Sequence, residues 1–232
     1  MNNILNQFQL KSEVAEIVPL KIGHINDSFI VKGKNPADPY YFLQKINHHI
    51  FKDVEGLQNN IRIVTNHLRK KYQEAGEKDI EQKVLELVPT TGGKWYYKDA
   101  SGEYWRVYIL IKNTHSYEAI TPALAYEAGK AYGDFHCKIV DIPTELLIDS
   151  IPDFHNVIFR VQQLKDAIAV NAAGRLEKTL WMVDELLKRA DDMCLPQRLF
   201  KEGILPGRIN HCDTKINNLL FNEKDEPCCI VD

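Results

Sequence analysis

The apolar residues change spacing partway along this chain, and that change constrains the fold more than any other feature. Up to residue 111 they fall mostly in short runs rich in β-branched and aromatic side chains, the pattern of strands. Strands are predicted over Glu13–Leu20, Ser28–Lys32, Tyr40–Ile46, Val84–Val88, Lys94–Lys98 and Glu103–Ile111, with turns such as Asp99–Gly102 between them. One helix interrupts the series: Val54, Leu57, Ile61, Val64 and Leu68 step by three and four, and Asp53 can cap its start. Past Thr121 the spacing is mainly helical. Thr121-Pro122 offers a capping hydroxyl and then a proline suited to a first helical turn, with Leu124, Ala128, Ala131, Phe135 and Ile139 on the apolar face. Further helices are predicted over Val157–Val170 and Gly174–Ala190, the second with Leu176, Leu180, Val183, Leu187 and Ala190 along one side. After a loop around Pro196–Pro206, the short strands Leu219–Phe221 and Cys228–Val231 flank a polar turn, Asn222–Pro227. The expected class is α+β: a β-rich lobe over residues 1–112, then a mostly helical lobe over 113–232.

Composition removes several function classes. The 232 residues are 44% hydrophobic and 26% charged, enough apolar material for a sizeable core. A net charge of -3 shows no basic surplus, so neither nucleic acid nor an anionic membrane is an expected partner. No apolar run approaches the ~18 residues of a membrane span, and the opening MNNILNQFQLKSEV does not read as a secretory signal. The five cysteines form an odd set without a C-x-x-C pair, which argues against a disulfide framework or structural zinc. Buried thiols in a reducing, cytoplasmic setting are expected.

One segment carries chemistry. Asn210–Phe221 contains H-x-D-x-x-x-x-N, with His211, Asp213 and Asn218 at the spacing of a kinase catalytic loop. It runs into a strand, a turn and a second strand that ends on Asp232. Phosphoryl transfer needs a group to orient the attacking hydroxyl and metal ions to hold the phosphates. Asp213 can accept the hydroxyl proton, Asn218 and Asp232 offer the oxygen ligands that Mg2+ prefers, and Lys215 can offset phosphate charge. His211 reads as a brace for the loop. Upstream, Lys21–Phe29 lies where a phosphate-covering turn would fall, with donors at Gly23, Asn26 and Ser28. The third strand should bring a cation to the phosphates. Lys45 is the candidate, but neighbouring strand residues face opposite ways, so Gln44 and Lys45 stay open as alternatives. The following helix has Glu55 at its start and Asn59 and Asn60 in its middle, with no evident acidic partner for that cation. Tyr108–Thr114 would be the hinge, and His48-His49 is read as solvated or capping instead of metal-binding.

These stretches resemble the aminoglycoside phosphotransferase and choline kinase-like superfamily, and the wording is closest to bacterial N-acetylhexosamine 1-kinases. The similar segments are GHINDSFIV (23–31), YFLQKINHHIFKD (41–53), VTNHL (64–68), YILIKNTHSYE (108–118), AGKAYGDFH (128–136) and HCDTKINNLLF (211–221). The resemblance implies a bilobal protein-kinase-like fold, ATP and Mg2+ as cofactors, and transfer to the anomeric hydroxyl of an N-acetylhexosamine. It also implies Asp213 as catalytic base, with Asn218 and Asp232 as metal ligands. Other kinases of the superfamily, for aminoglycosides, choline or homoserine, and a non-catalytic nucleotide-binding module remain alternatives. Members of the superfamily continue past the position of Asp232 with helices that complete the second lobe. The expectation is therefore a truncated helical lobe with weak or absent turnover, even if nucleotide binding survives.

Overall fold

A computed structural model of the protein describes residues 1–20 and 25–232. These form two compact units, Met1–Ser150 with Ile209–Asp232, and Ile151–Arg208.

The first unit opens with a short helix, α1 (Asn2–Leu5), and a strand, β1 (Val14–Leu20). Next come β2 (Asp27–Gly33), β3 (Tyr41–Ile46), β4 (Tyr97–Lys98) and β5 (Tyr104–Ile109). They make an antiparallel sheet in the order β1-β2-β3-β5-β4. Side chains alternate across a strand, so the two faces carry different sets. Val31, Leu43 and Val107, all 0% exposed, pack on one face against Leu5 and Phe8 from the N-terminal segment. Ile46 and Tyr104 point to the other face and meet α2 (Val54–Glu74) through Val54 and Leu57. The predicted cap forms: Asp53 accepts from the Gly56 N–H at 2.8 Å. A Cβ at Gly56 would fall 2.3 Å from Ile148 Cδ1 and 2.6 Å from Asp53 Oδ2, so a larger residue there would displace those side-chain ends.

Farther along α2, Leu68 joins Phe135 and Ile139 of α3 (Pro122–Ile139). Thr121 caps α3 by accepting from the Leu124 N–H at 3.2 Å. A second sheet, β6 (Thr114–His115), β7 (Leu219–Asn222) and β8 (Pro227–Ile230), is ordered β6-β7-β8. Its Leu219 and Phe221 pack on Ala128 of α3. The second unit contains α4 (Val157–Val170), capped by the Asn156 side chain, and α5 (Leu176–Lys201). Among the described residues no helix is long and apolar enough to cross a membrane.

Several expected features differ. Val84–Val88 touches β5 only through the Leu87–Tyr108 bridge and two flanking backbone bonds. Val84 belongs to the α2–α3 core and Val88 to the sheet core, so the segment crosses between two cores instead of lining one. Of Lys94–Lys98 only Tyr97 and Lys98 are strand. The helix predicted over Gly174–Ala190 runs on to Lys201 with Pro196 inside it. A proline removes one helical hydrogen bond, yet the inward spacing of Leu187 and Ala190 continues through Cys194, which is buried. Leu180, expected on the covered side of this helix, is 45% exposed. None of the five cysteines forms a disulfide among the described residues, and Cys194 and Cys229 are buried while Cys137 and Cys212 are exposed.

The turn before β5 has a testable electrostatic signature. Asp99 accepts from the Ser101 hydroxyl at 2.6 Å and the Trp105 indole N–H at 2.8 Å, besides the Ser101 and Glu103 amides. The Ser101 bond first, then the Trp105 bond, hold its carboxyl down at about 2 against an ordinary 3.8. A folded-state pKa below the unfolded one gives stability that is present above pH 3.8 and lost as pH falls through about 2. The stability gap between wild type and Asp99→Ala should therefore narrow as pH is lowered across that window. Denaturant unfolding of both proteins at several pH values measures it, and a gap constant with pH would contradict the assignment.

Candidate active site

The loop ahead of β7 is built around His211. Its ring is enclosed edge-on by Tyr132 and Phe135, with centroids 5.8 and 6.0 Å away. Nε2 lies 3.0 Å from the Val231 carbonyl, an acceptor, which assigns the proton to Nε2. Burial pushes the His211 pKa below its ordinary value, against the opposing pull of that backbone bond. A neutral imidazole used as a brace fits both observations. The Val231 N–H in turn donates to the Asn218 carbonyl at 2.9 Å. Both backbone groups of the residue preceding Asp232 are thus held by the two ends of the H-x-D-x-x-x-x-N segment.

Asp213 is half-exposed between these anchors. Its Oδ2 accepts from Lys215 Nζ at 2.7 Å and from Asn218 Nδ2 at 2.9 Å. Burial raises the Asp213 pKa, but the hydrogen bonds from Lys215 and Asn218 outweigh it and the net shift is downward. The carboxylate is therefore ionised at neutral pH. Asn218 is 5% exposed, and its Nδ2 also donates to the Asp213 carbonyl at 3.0 Å. With the amide nitrogen committed twice to Asp213, the Oδ1 end is left to accept from another group. Hard cations such as Mg2+ take oxygen ligands, so this donor set fits: an amide oxygen at Asn218 and a carboxylate at Asp232.

A second polar set lies across the first sheet. Ser28, Gln44 and Arg106 are directly paired neighbours on β2, β3 and β5. Gln44 Nε2 donates to Ser28 Oγ at 3.1 Å, and Arg106 Nε donates to Gln44 Oε1 at 2.9 Å. All three are buried, at 5%, 8% and 4% exposure. Of Gln44 and Lys45, Gln44 shares the face that carries Ile46 and α2. Lys45 takes the opposite side, 3.3 Å from Glu103. Arg106 is absent from the sequence-based candidates. The signal available was a lone charge inside the apolar run Tyr104–Ile109, a position where charges are rarely left unpaired.

The other sequence candidates are distributed as follows. Asn26 Oδ1 accepts from the Asn47 N–H at 2.9 Å, tying the start of β2 to the end of β3. Gly23 lies outside the described residues. The His48 ring meets those of His49 and Tyr104 at a tilt, with centroids 4.4 and 5.3 Å away. Among the described residues no cluster of three or more His, Cys, Asp or Glu could hold a metal. The structure thus brings together Asp213, Lys215 and Asn218 directly, joins Asp232 to them through Val231, and leaves Ser28 with Gln44 and Arg106 in a separate row. Tyr108 stands within electrostatic reach of both sets. Burial raises the pKa of its phenol, the charge of Arg106 lowers it and that of Asp232 raises it.

This arrangement belongs to a protein-kinase-like α+β fold: an antiparallel sheet, a helix on one face, and a loop leading into a strand pair. Two solved structures of spectinomycin phosphotransferase APH(9)-Ia share it, one in complex with ADP and spectinomycin and one bound to AMP. Their TM-scores are 0.54 and 0.52, each at 12% sequence identity. The matches cover 99% and 100% of this chain, which spans 66% and 68% of the length of those structures. At that identity the likeness shows the fold. No family model matches the sequence.

Proposed function

We propose that this chain carries the nucleotide-binding and catalytic-loop elements of an ATP- and Mg2+-dependent small-molecule kinase that phosphorylates a hydroxyl group. One observation carries the reading: Asp213 accepts from both Lys215 and Asn218, and Val231, the chain neighbour of Asp232, is bonded to Asn218 and to His211. Three oxygen-bearing groups at these positions match what phosphoryl transfer requires, a base for the hydroxyl and two ligands for a hard cation.

In this reading the acceptor hydroxyl donates a hydrogen bond to Asp213, whose depressed pKa keeps it ready to accept. As the hydroxyl oxygen bonds to the γ-phosphorus, the bond to the β–γ bridging oxygen breaks. ADP departs and the hydroxyl proton passes to Asp213. Lys215 holds Asp213 in place and supplies positive charge near the transferring group. Mg2+, when bound, neutralises charge on the phosphates, and Asn218 and Asp232 are the residues that would hold it. Residues 1–112 would supply most of the nucleotide contacts and 113–232 the catalytic loop.

For the acceptor, the INHHIF and DTKINN wording favours an N-acetylhexosamine, at its anomeric hydroxyl. A second reading, an aminocyclitol or aminoglycoside hydroxyl, draws on the fold shared with spectinomycin phosphotransferase. Calorimetric titration with ATP, with and without Mg2+, tests the core of the proposal. Binding that depends on the metal is expected, and its absence would remove the kinase reading. Transfer of labelled γ-phosphate to a panel of N-acetylglucosamine, N-acetylgalactosamine, spectinomycin and choline then separates the acceptors. Label on spectinomycin with none on either sugar would overturn the hexosamine assignment.

A further inference from the structure

Arg106 is the most unusual charge in the protein. It sits on β5, in the interior of the first sheet, at 4% exposure. Its interactions among the described residues are one hydrogen bond to the Gln44 amide oxygen and a contact of the guanidinium with the Tyr108 ring at 5.2 Å. No carboxylate pairs with it among the described residues, and the four residues outside that set, 21–24, include no Asp or Glu. A guanidinium cannot shed its proton to relieve burial, so a buried one needs an anion. Gln44 orients it without neutralising it, and Gln44 is itself held by Ser28. Gln58, on the helix that packs against this same face, is 1% exposed, and neither of its amide atoms finds a partner among the described residues. The face thus holds a fixed positive charge and a buried amide that the described residues leave unsatisfied.

We infer that Arg106, oriented by Gln44 and Ser28, is the cation that receives the nucleotide phosphates, in place of Lys45. The inference rests on the kinase reading above and refines its phosphate site. Three features support it. Lys45 lies on the other face in an ion pair with Glu103. The Arg106 row lies on the face covered by α2. The Gln44 hydrogen bond to Nε also points the guanidinium without occupying its terminal NH2 groups, the ends that bind phosphate in pairs.

The test compares Mg·ADP with adenosine, which lacks phosphate. In Arg106→Met, affinity for Mg·ADP is expected to fall about 10- to 100-fold, the loss of a charged hydrogen-bonding group, while adenosine affinity is unchanged. Removing a buried charge that has no counter-charge among the described residues should leave the melting temperature of the free protein equal or higher. Gln44→Glu gives an independent arm, because a carboxylate at Gln44 would pair with Arg106 within the protein. This variant should melt higher and bind Mg·ADP more weakly, again with adenosine unaffected. Equal loss of both ligands with a lower melting temperature in both variants would make the row structural and overturn the inference. So would wild-type Mg·ADP affinity in either variant, which leaves the kinase reading standing. If the wild type binds no nucleotide at all, both fall. Should Arg106→Met fail to fold, Gln44→Glu decides.

Discussion

Any phosphoryl transfer by the protein is expected to fall by about 10²- to 10⁴-fold in Asp213→Asn, the usual contribution of a positioned general base. The variant's affinity for Mg·ATP should stay close to that of the wild type. The geometry makes this a clean comparison. Lys215 and Asn218 both donate to one oxygen of Asp213, and an asparagine carbonyl can accept those bonds. The loop should therefore keep its shape, with His211 still on Val231 and Asn218 still bonded to the same carbonyl. What disappears is the capacity to take a proton from the acceptor. The measurement is the ratio of labelled-phosphate transfer in the two proteins, with calorimetry for binding. Undiminished transfer would show that Asp213 only shapes the loop, and loss of binding in step with transfer would mean that the substitution had unseated the metal ligands.

The second large effect is structural. Phe221 is 0% exposed, sits edge-on to Tyr117 with centroids 5.0 Å apart, and packs with Leu219 and Ala128. Phe221→Ala removes a buried ring from β7, the strand that leaves the catalytic loop, and should cost about 3–5 kcal/mol. For a chain of this length, that corresponds to a fall in melting temperature of roughly 6–20 °C. Phe200→Ala is the contrasting control, because Phe200 is 57% exposed in the second unit and a surface truncation should stay within about 0.5 kcal/mol. A small shift for Phe221→Ala would mean that neighbouring side chains refill the space. Metal-dependent nucleotide binding in the Phe221→Ala protein, measured well below its melting point, would then report how far the catalytic loop relies on this strand for its position.

The legible parts of the fold were those set by local chemistry. Thr121-Pro122 and Asp53 start helices because a capping oxygen and a fixed φ act within one turn. The three leading strands follow their β-branched and aromatic runs to within a residue or two. The spacing of His211, Asp213 and Asn218 is likewise local, and these residues fall in one short loop. Less legible were the features in which two distant segments compete for a residue. Val84–Val88 has the composition of a strand, yet its two valines are claimed by different cores. Pro196 has the look of a terminator, yet a continuing inward stripe keeps the helix going past it.

The candidate site divides along the same line. Residue type and spacing along the chain were sufficient to nominate a base and two metal ligands, since a hydroxyl proton and a hard cation each demand a particular functional group. Which cation faces the nucleotide was undecidable from order alone. A strand presents neighbours to opposite sides, and nothing local says which side α2 will cover. Sheet register sets Ser28, Gln44 and Arg106 in one buried row and turns Lys45 toward Glu103. The grip on Val231, likewise, exists only because β8 folds back on β7. A charge without a counter-charge becomes visible only when burial and every neighbour are known, and that information resides in the packing.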